Sequence, residues 1–237
     1  MFFRKAILII HGFAGGTYDE EDLANFLELN RLYDVYQFTL PGHKKNLSKA
    51  KYEEWIKCCE EKVEWLQENG YRKVYLIGHS MGGVIATYLA TKYKVVKKLI
   101  LAAPAFQYIK DNSYKPNFTD SIKAAPKIVK TYGKSEIISR MLKLNLGAIK
   151  EFMELVETYY DYPKLVNCPI LLLQGKNDNI VPISSSKYVY ETVNSSVKKI
   201  VYLDGITHDL FCSNRSLEIF KIVQSFLKKS DSGEYDI

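Results

Sequence analysis

Apolar residues in this chain fall into short unbroken runs, separated by stretches in which they recur every three or four positions. The runs are "KAILII" (5–10), "YDVYQF" (33–38), "KVYLIG" (73–78), "KKLILAA" (97–103), "PILLLQG" (169–175) and "KKIVYL" (198–203). Most are continuous rather than alternating, which predicts parallel strands covered on both faces. Between them lie helical patterns. "DEEDLANFLEL" follows the first run, with Thr17 and Glu20 spaced as a capping box. "KYEEWIKCCEEKVEWLQEN" repeats Trp55, Ile56, Cys59, Val63 and Leu66 at helical spacing and stops at Gly70. "GGVIATYLATKY", "SSSKYVYETV" and "RSLEIFKIVQSFLKK" supply three more helices. Strand alternating with helix predicts the α/β class: a mostly parallel six-stranded sheet with helices on both faces.

One interval departs from the rhythm. From Ala103 to Cys168 no strand is predicted, and "TDSIKAAPKIVKTYG", "SEIISRMLKLN" and "GAIKEFMELVETYYDY" read as short amphipathic helices rich in large side chains, among them Phe118, Tyr132, Met141, Phe152, Met153, Tyr159 and Tyr160. An insertion beyond the C-terminal edge of a strand lies above the crevice where open α/β sheets bind ligands. The expected organisation is a core of residues 1–104 and 165–237 with a helical cap at 105–164. The tail "SDSGEYDI" is polar and expected to fray.

Composition narrows the class further. With 237 residues, 47% of them hydrophobic, the chain can bury a sizeable single core. No apolar run approaches the roughly 18 residues of a membrane span, so no stable membrane insertion is expected. "MFFRKAILIIHGF" imitates a signal peptide, but its apolar run, Ala6 to Ile10, is short and leads into a glycine-rich turn, so a cytoplasmic location is expected. The four cysteines show no metal-like or CxxC spacing, which fits free thiols in a reducing compartment. A net charge of +6 is spread over short pairs such as Lys97-Lys98 and Lys198-Lys199, without an arginine cluster or basic stripe. That argues against nucleic acid as a partner and reads as a solvated surface, with weak attraction to anionic lipid left open.

Candidate chemistry begins at "VYLIGHSMGG" (74–83), where a buried run stops at a glycine and presents a serine. Gly78-His79-Ser80-Met81-Gly82 fits G-x-S-x-G, with a predicted strand before it and a predicted helix after it, the context of a nucleophile elbow. Glycines at 78 and 82 remove Cβ atoms that would collide with the turn and the incoming helix. A serine hydroxyl needs a base, and the base needs an orienting acid. Among four histidines, only His208, in "LDGITHDLF", lies between the last predicted strand and the last helix. "LLLQGKNDNIVP" supplies Asp178 at the end of the preceding strand, giving the chain order Ser80, Asp178, His208. Asp204 and Asp209 are rival acids placed too close to His208 to reach around to its Nδ1 easily. The glycine-rich "IIHGFAGG" after the first strand can fold back so that the Phe13 N–H joins the Met81 N–H as oxyanion donors. His11 is expected to hold that loop by hydrogen bonds, His43 to tie down the loop "LPGHKKN", and His79 to be buried in the elbow. Scattered histidines without a carboxylate cluster give no metal site, and the chemistry needs no cofactor.

In these motifs the chain resembles the α/β-hydrolase superfamily, and within it the small bacterial carboxylesterases and monoacylglycerol-lipase-like serine hydrolases. "HGFAGG", "LPGH", "GHSMGG", "GKNDNIVP" and His208 carry the resemblance, which runs from about Lys5 to Leu227. It implies the same oxyanion loop, nucleophile, acid and base, a helical cap after the sixth of eight usual strands, and a small-molecule ester as substrate. Two departures stand out. The chain begins at the oxyanion-loop strand, so six strands are expected, and "GIT" precedes the base where relatives often carry "SGH"-like sequences. The expected activity is hydrolysis of short-to-medium-chain carboxylic esters through an acyl-enzyme on Ser80. The same triad can serve monoglycerides, thioesters, amides, lactones or C–C bonds, and a catalytically inactive ligand-binding module is the reading from a different class.

Overall fold

The computed structural model describes residues 5–29, 31–43, 50–107 and 146–229. Six strands, β1 (Lys5–Ile10), β2 (Asp34–Gln37), β3 (Lys73–His79), β4 (Val96–Ala102), β5 (Ile170–Gly175) and β6 (Lys198–Leu203), form one sheet in the order β2-β1-β3-β4-β5-β6. Every pairing is parallel. All six runs match an observed strand to within one residue at either end, and β1 and β6 match at both ends. The central strands are apolar throughout because both faces are covered: Ile7, Leu76, Ile100 and Leu172 are fully buried. At the two edges β2 and β6 are only half-buried, as strands with one unpaired side must be.

The helices are α1 (Glu21–Glu28), α2 (Tyr52–Glu68), α3 (Met81–Lys92), α4 (Leu146–Tyr159), α5 (Ile183–Thr192) and α6 (Ser216–Lys228). α1 packs against α6, with the Phe26 and Phe220 rings 5.5 Å apart, while α2, α3 and α4 pack together as a second layer. On α2 the buried residues are Trp55, Ile56, Cys59, Val63 and Leu66, the stripe that the periodicity predicts. α4 buries Phe152, Met153, Leu155 and Val156 against this layer. Its Glu151 carboxylate accepts hydrogen bonds from Lys51 Nζ and from the Tyr52 amide at the start of α2. The helices predicted at "TDSIKAAPKIVKTYG" and "SEIISRMLKLN", and the tail, lie outside the described residues. All four cysteines are free thiols. Among the described residues, no helix is long and apolar enough to cross a membrane.

Two local expectations are corrected. Thr17 and Glu20 do not form a capping box. Thr17–Asp19 is a short 3-10 turn, the Gly16 amide donates to Asp19 Oδ2 at 3.2 Å, and Glu20 turns inward, 1% exposed. Nor does Lys98 belong to a solvated surface. It sits in β4 with no exposed area, and its Nζ donates to the carbonyls of Phe226 (2.9 Å), Leu227 (3.1 Å) and Lys229 (2.6 Å). The last carbonyls of a helix have no partner within it, so this buried amine caps α6 from inside the sheet. Its alkyl stem makes the burial tolerable, and the Tyr75 and Phe226 rings lie 5.4 Å from Nζ. Lys98→Met keeps the stem and strands those carbonyls. It should lower the unfolding free energy by about 3 kcal/mol at unchanged m-value in urea denaturation.

Candidate active site

β3 ends in the elbow. Ser80 has φ 54° and ψ −117°, a conformation that a residue with a Cβ rarely adopts, and one that costs about 1–3 kcal/mol. Its backbone is fixed on both sides: the amide donates to Ala102 O (2.9 Å), and the carbonyl accepts from Gly83 N (3.0 Å) and Ala105 N (3.1 Å). The flanking glycines follow from close approach. A Cβ on Gly82 would overlap the Ile10 carbonyl at the end of β1, and one on Gly78 would overlap the Gly82 carbonyl. Ser80 is 7% exposed, and its side chain makes no capping bond to α3, the helix that it precedes.

The loop after β1 lies directly against Ser80. A Cβ on Gly12 would sit 3.2 Å from Ser80 Cβ and 3.7 Å from Ser80 Oγ, so glycine at 12 sets how near the loop can come. His11 holds this loop. The Leu40 amide donates to His11 Nε2 (3.0 Å), so the ring proton is on Nδ1 and donates to Gly12 O (2.7 Å). Burial lowers the His11 pKa to about 4, and the ring is neutral at pH 7. His43 donates from Nδ1 to Pro41 O (3.2 Å), and burial lowers its pKa to about 3. Phe13 follows Gly12, its ring stacked on Phe152 of α4 at 5.0 Å and set edge-on to Trp55 and His43.

On the other side of the elbow, His208 Nδ1 lies 2.8 Å from Asp178 Oδ2, with the Asp178 side chain fully buried. Asp178 Oδ1 accepts the Ile180 and Val181 amides (2.8 and 2.9 Å), and Oδ2 also accepts Gln174 Nε2 (3.2 Å). Burial alone would push this carboxyl up. His208 and the two amides outweigh burial and hold it below its ordinary value. Of the rival carboxylates, Asp204 is paired with Lys176 at 2.8 Å and its side chain is 79% exposed. Asp178 is the one bonded to the His208 ring. Ser80, Asp178 and His208 thus all stand at the C-terminal edge of the sheet, after β3, β5 and β6. A hydroxyl at an elbow and a carboxylate-bound imidazole at one sheet edge are the parts of nucleophilic acyl chemistry.

The family described as serine aminopeptidase, S33, a hydrolase family, matches residues 3–214. This chain belongs to it. The hydrolase is also 25% identical over 235 residues to a carboxylesterase of Bacillus subtilis, an alignment covering 96% of this chain and 94% of the relative. To a thermostable monoacylglycerol lipase of Bacillus sp. it is 24% identical over 215 residues, covering 85% and 82%. Its fold is that of a metagenome-derived lipolytic enzyme (TM-score 0.78, 19% identity, 96% and 95% covered) and of a Paleococcus ferrophilus monoacylglycerol lipase (TM-score 0.72, 21% identity, 96% and 97% covered).

Two groups around the hydrolase's site escape the sequence reading. Gln174, fully buried, has its Oε1 bonded by Ser186 Oγ at 2.7 Å, which turns its Nε2 toward Asp178. The signal for it was one polar residue interrupting the apolar run "ILLLQG" four positions before the acid. Glu20 meets His79 Nδ1 at 2.9 Å, and nothing local signals a contact across 59 residues.

Because the Asp178 pKa is depressed from 3.8, its charge stabilises the fold at every pH above that value. The contribution is lost as pH falls through the folded-state pKa. The difference in unfolding free energy between wild type and Asp178→Asn should therefore be constant at neutral pH and shrink below pH 3.8. Urea denaturation across that range reads it directly. A difference that does not change with pH would remove Asp178 from the titrating groups.

Proposed function

We propose that this esterase-type hydrolase cleaves carboxylic esters of short-to-medium acyl chains, with Ser80 as nucleophile, His208 as base and Asp178 as orienting acid. The observation that carries the reading is the 2.8 Å His208–Asp178 bond at the same sheet edge as the strained Ser80 elbow. His208 Nε2 takes the Ser80 proton as Oγ attacks the ester carbonyl, and Asp178 fixes the tautomer that leaves Nε2 basic. Oxyanion charge falls on the Phe13 and Met81 amides, the first on the loop that Gly12 brings against Ser80. The imidazolium then protonates the departing alcohol. Water, deprotonated by the same imidazole, attacks the acyl-serine, and the proton returns to Oγ. Only side chains, backbone amides and water take part.

The preference for an acyl ester rests on the carboxylesterase and lipase names of the relatives above. The chain-length range rests on the apolar and aromatic residues in the sequence of 105–164. The substrate is a free small molecule and the setting is the cytoplasm, in keeping with four free thiols.

A series of p-nitrophenyl esters from acetate to palmitate tests the reading, with Ser80→Ala as blank. Wild type should turn over and peak at short-to-medium chains, and Ser80→Ala should lose at least about 10⁴-fold in kcat. A fluorophosphonate should label wild type and not the variant. Equal inertness of both proteins toward every ester and toward the label would overturn ester hydrolysis on Ser80.

A further inference from the structure

Glu20 and His79 form a buried pair that the mechanism above leaves unused, and it touches the base loop from beneath. His79 is 4% exposed and ends β3, one residue before Ser80. Its Nδ1 lies 2.9 Å from Glu20 Oε1 and its Nε2 lies 3.0 Å from the His208 carbonyl oxygen. The two imidazoles stand 5.0 Å apart, tilted by 36°. Glu20 Oε2 is buried and has no hydrogen-bond partner among the described residues.

Counting protons decides what the pair can do. A carbonyl only accepts, so His79 Nε2 must carry hydrogen to bond His208 O. The 2.9 Å contact at Nδ1 needs a second proton, on the ring or on the carboxyl. With both protons present, each acceptor faces a donor. Remove one, and a single ring hydrogen must serve two acceptors. The carboxylate is the stronger, so Nδ1 takes it and Nε2 turns a lone pair toward the His208 carbonyl. Burial drives His79 toward its neutral form, but Glu20 outweighs burial and raises the ring's pKa to about 9. Burial likewise raises the Glu20 carboxyl, against the pull of His79. Asp19 and Asp209 add negative charge from the two flanking segments, with Cys212, His11 and the His208 ring the other titratable neighbours.

We infer that Glu20 and His79 are positioning residues for His208: their shared proton keeps an N–H on the His208 carbonyl and so fixes the backbone from which the base projects. This rests on His208 being the base. It predicts an alkaline loss of activity that belongs to the pair, since a neutral His208 is already competent as base.

Two variants and one spectrum test it. In Glu20→Gln the side-chain amide can donate to Nδ1, leaving Nε2–H on the His208 carbonyl with nothing to titrate. Wild-type kcat on a p-nitrophenyl ester, corrected with Ser80→Ala, should fall with a midpoint near pH 9. Glu20→Gln should keep neutral kcat within about threefold and lose that limb, while His79→Phe should lose about a hundredfold in kcat with little change in KM. In 15N-histidine NMR spectra, wild-type His79 should be doubly protonated at pH 7 and Glu20→Gln singly protonated at Nε2. An alkaline limb that persists in Glu20→Gln, or full kcat in His79→Phe, overturns the inference. If no protein hydrolyses any ester, the esterase reading fails by itself. The wild-type spectrum then still decides the pair, because a His79 without a proton on Nε2 at pH 7 overturns it whether or not Glu20→Gln folds.

Discussion

A residue held at φ 54° between a strand and a helix is the constraint on which this sheet edge depends. The conformation persists only because its neighbours leave the peptide no room to relax. Ser80 donates to the end of β4, and its carbonyl is shared by Gly83 and Ala105. Gly82 lies on the carbonyl of Ile10, so the elbow is wedged against β1 as well. One strained residue therefore ties together the ends of three adjacent strands, and the loop after β1 has to close over it. The backbone amides at this edge therefore take their positions from the strands.

Four histidines gather near this edge, and their surroundings give them different protonation. His11 and His43 are buried against carbonyls without a carboxylate, and both stay neutral at pH 7. Neutrality matters at His11, where Nε2 must accept the Leu40 amide to hold the loop after β1. His79 and His208 each have a carboxylate at Nδ1, Glu20 and Asp178, at nearly the same distance. They differ at Nε2: that of His79 is committed to a backbone carbonyl, and that of His208 has no such bond among the described residues. The same imidazole–carboxylate unit thus commits its Nε2 to the backbone in one place and leaves it without that bond in the other.

The strands and the amphipathic helices were legible because burial on both faces leaves continuous apolar runs, and burial on one face leaves a 3.6-residue period. The elbow was legible because its glycines are local to the serine. Asp178 stood out through its place after a strand, ahead of Asp204 and Asp209. Contacts between distant segments left no such trace. Glu20 satisfied the spacing of a capping box yet folded inward to His79, and Lys98 looked like half of a surface pair yet capped a helix 128 residues away. In both cases the local pattern fits a polar residue at the surface, and only tertiary packing reveals the partner. Gln174 lies between these extremes, visible as an oddity in an apolar run and unassignable until Ser186 and Asp178 are beside it.

One turn of α5 joins Asp178 to the chain at 104–107 and at Tyr160. Ser185 Oγ donates to Pro104 O and accepts the Gln107 amide, holding the departing chain. Ser186 orients Gln174 toward Asp178. Tyr188 donates to Tyr160 O and stacks on its ring at 4.7 Å, holding the returning chain. α5 itself begins immediately after the Asp178 loop, whose Val181 amide bonds the acid. A shift of this helix would therefore move the carboxylate and both roots of the insertion together. The geometry of the Asp178 carboxylate and the positions of the chain at 104–107 and at Tyr160 are thus one mechanical variable, because three side chains within four residues of one helix set both.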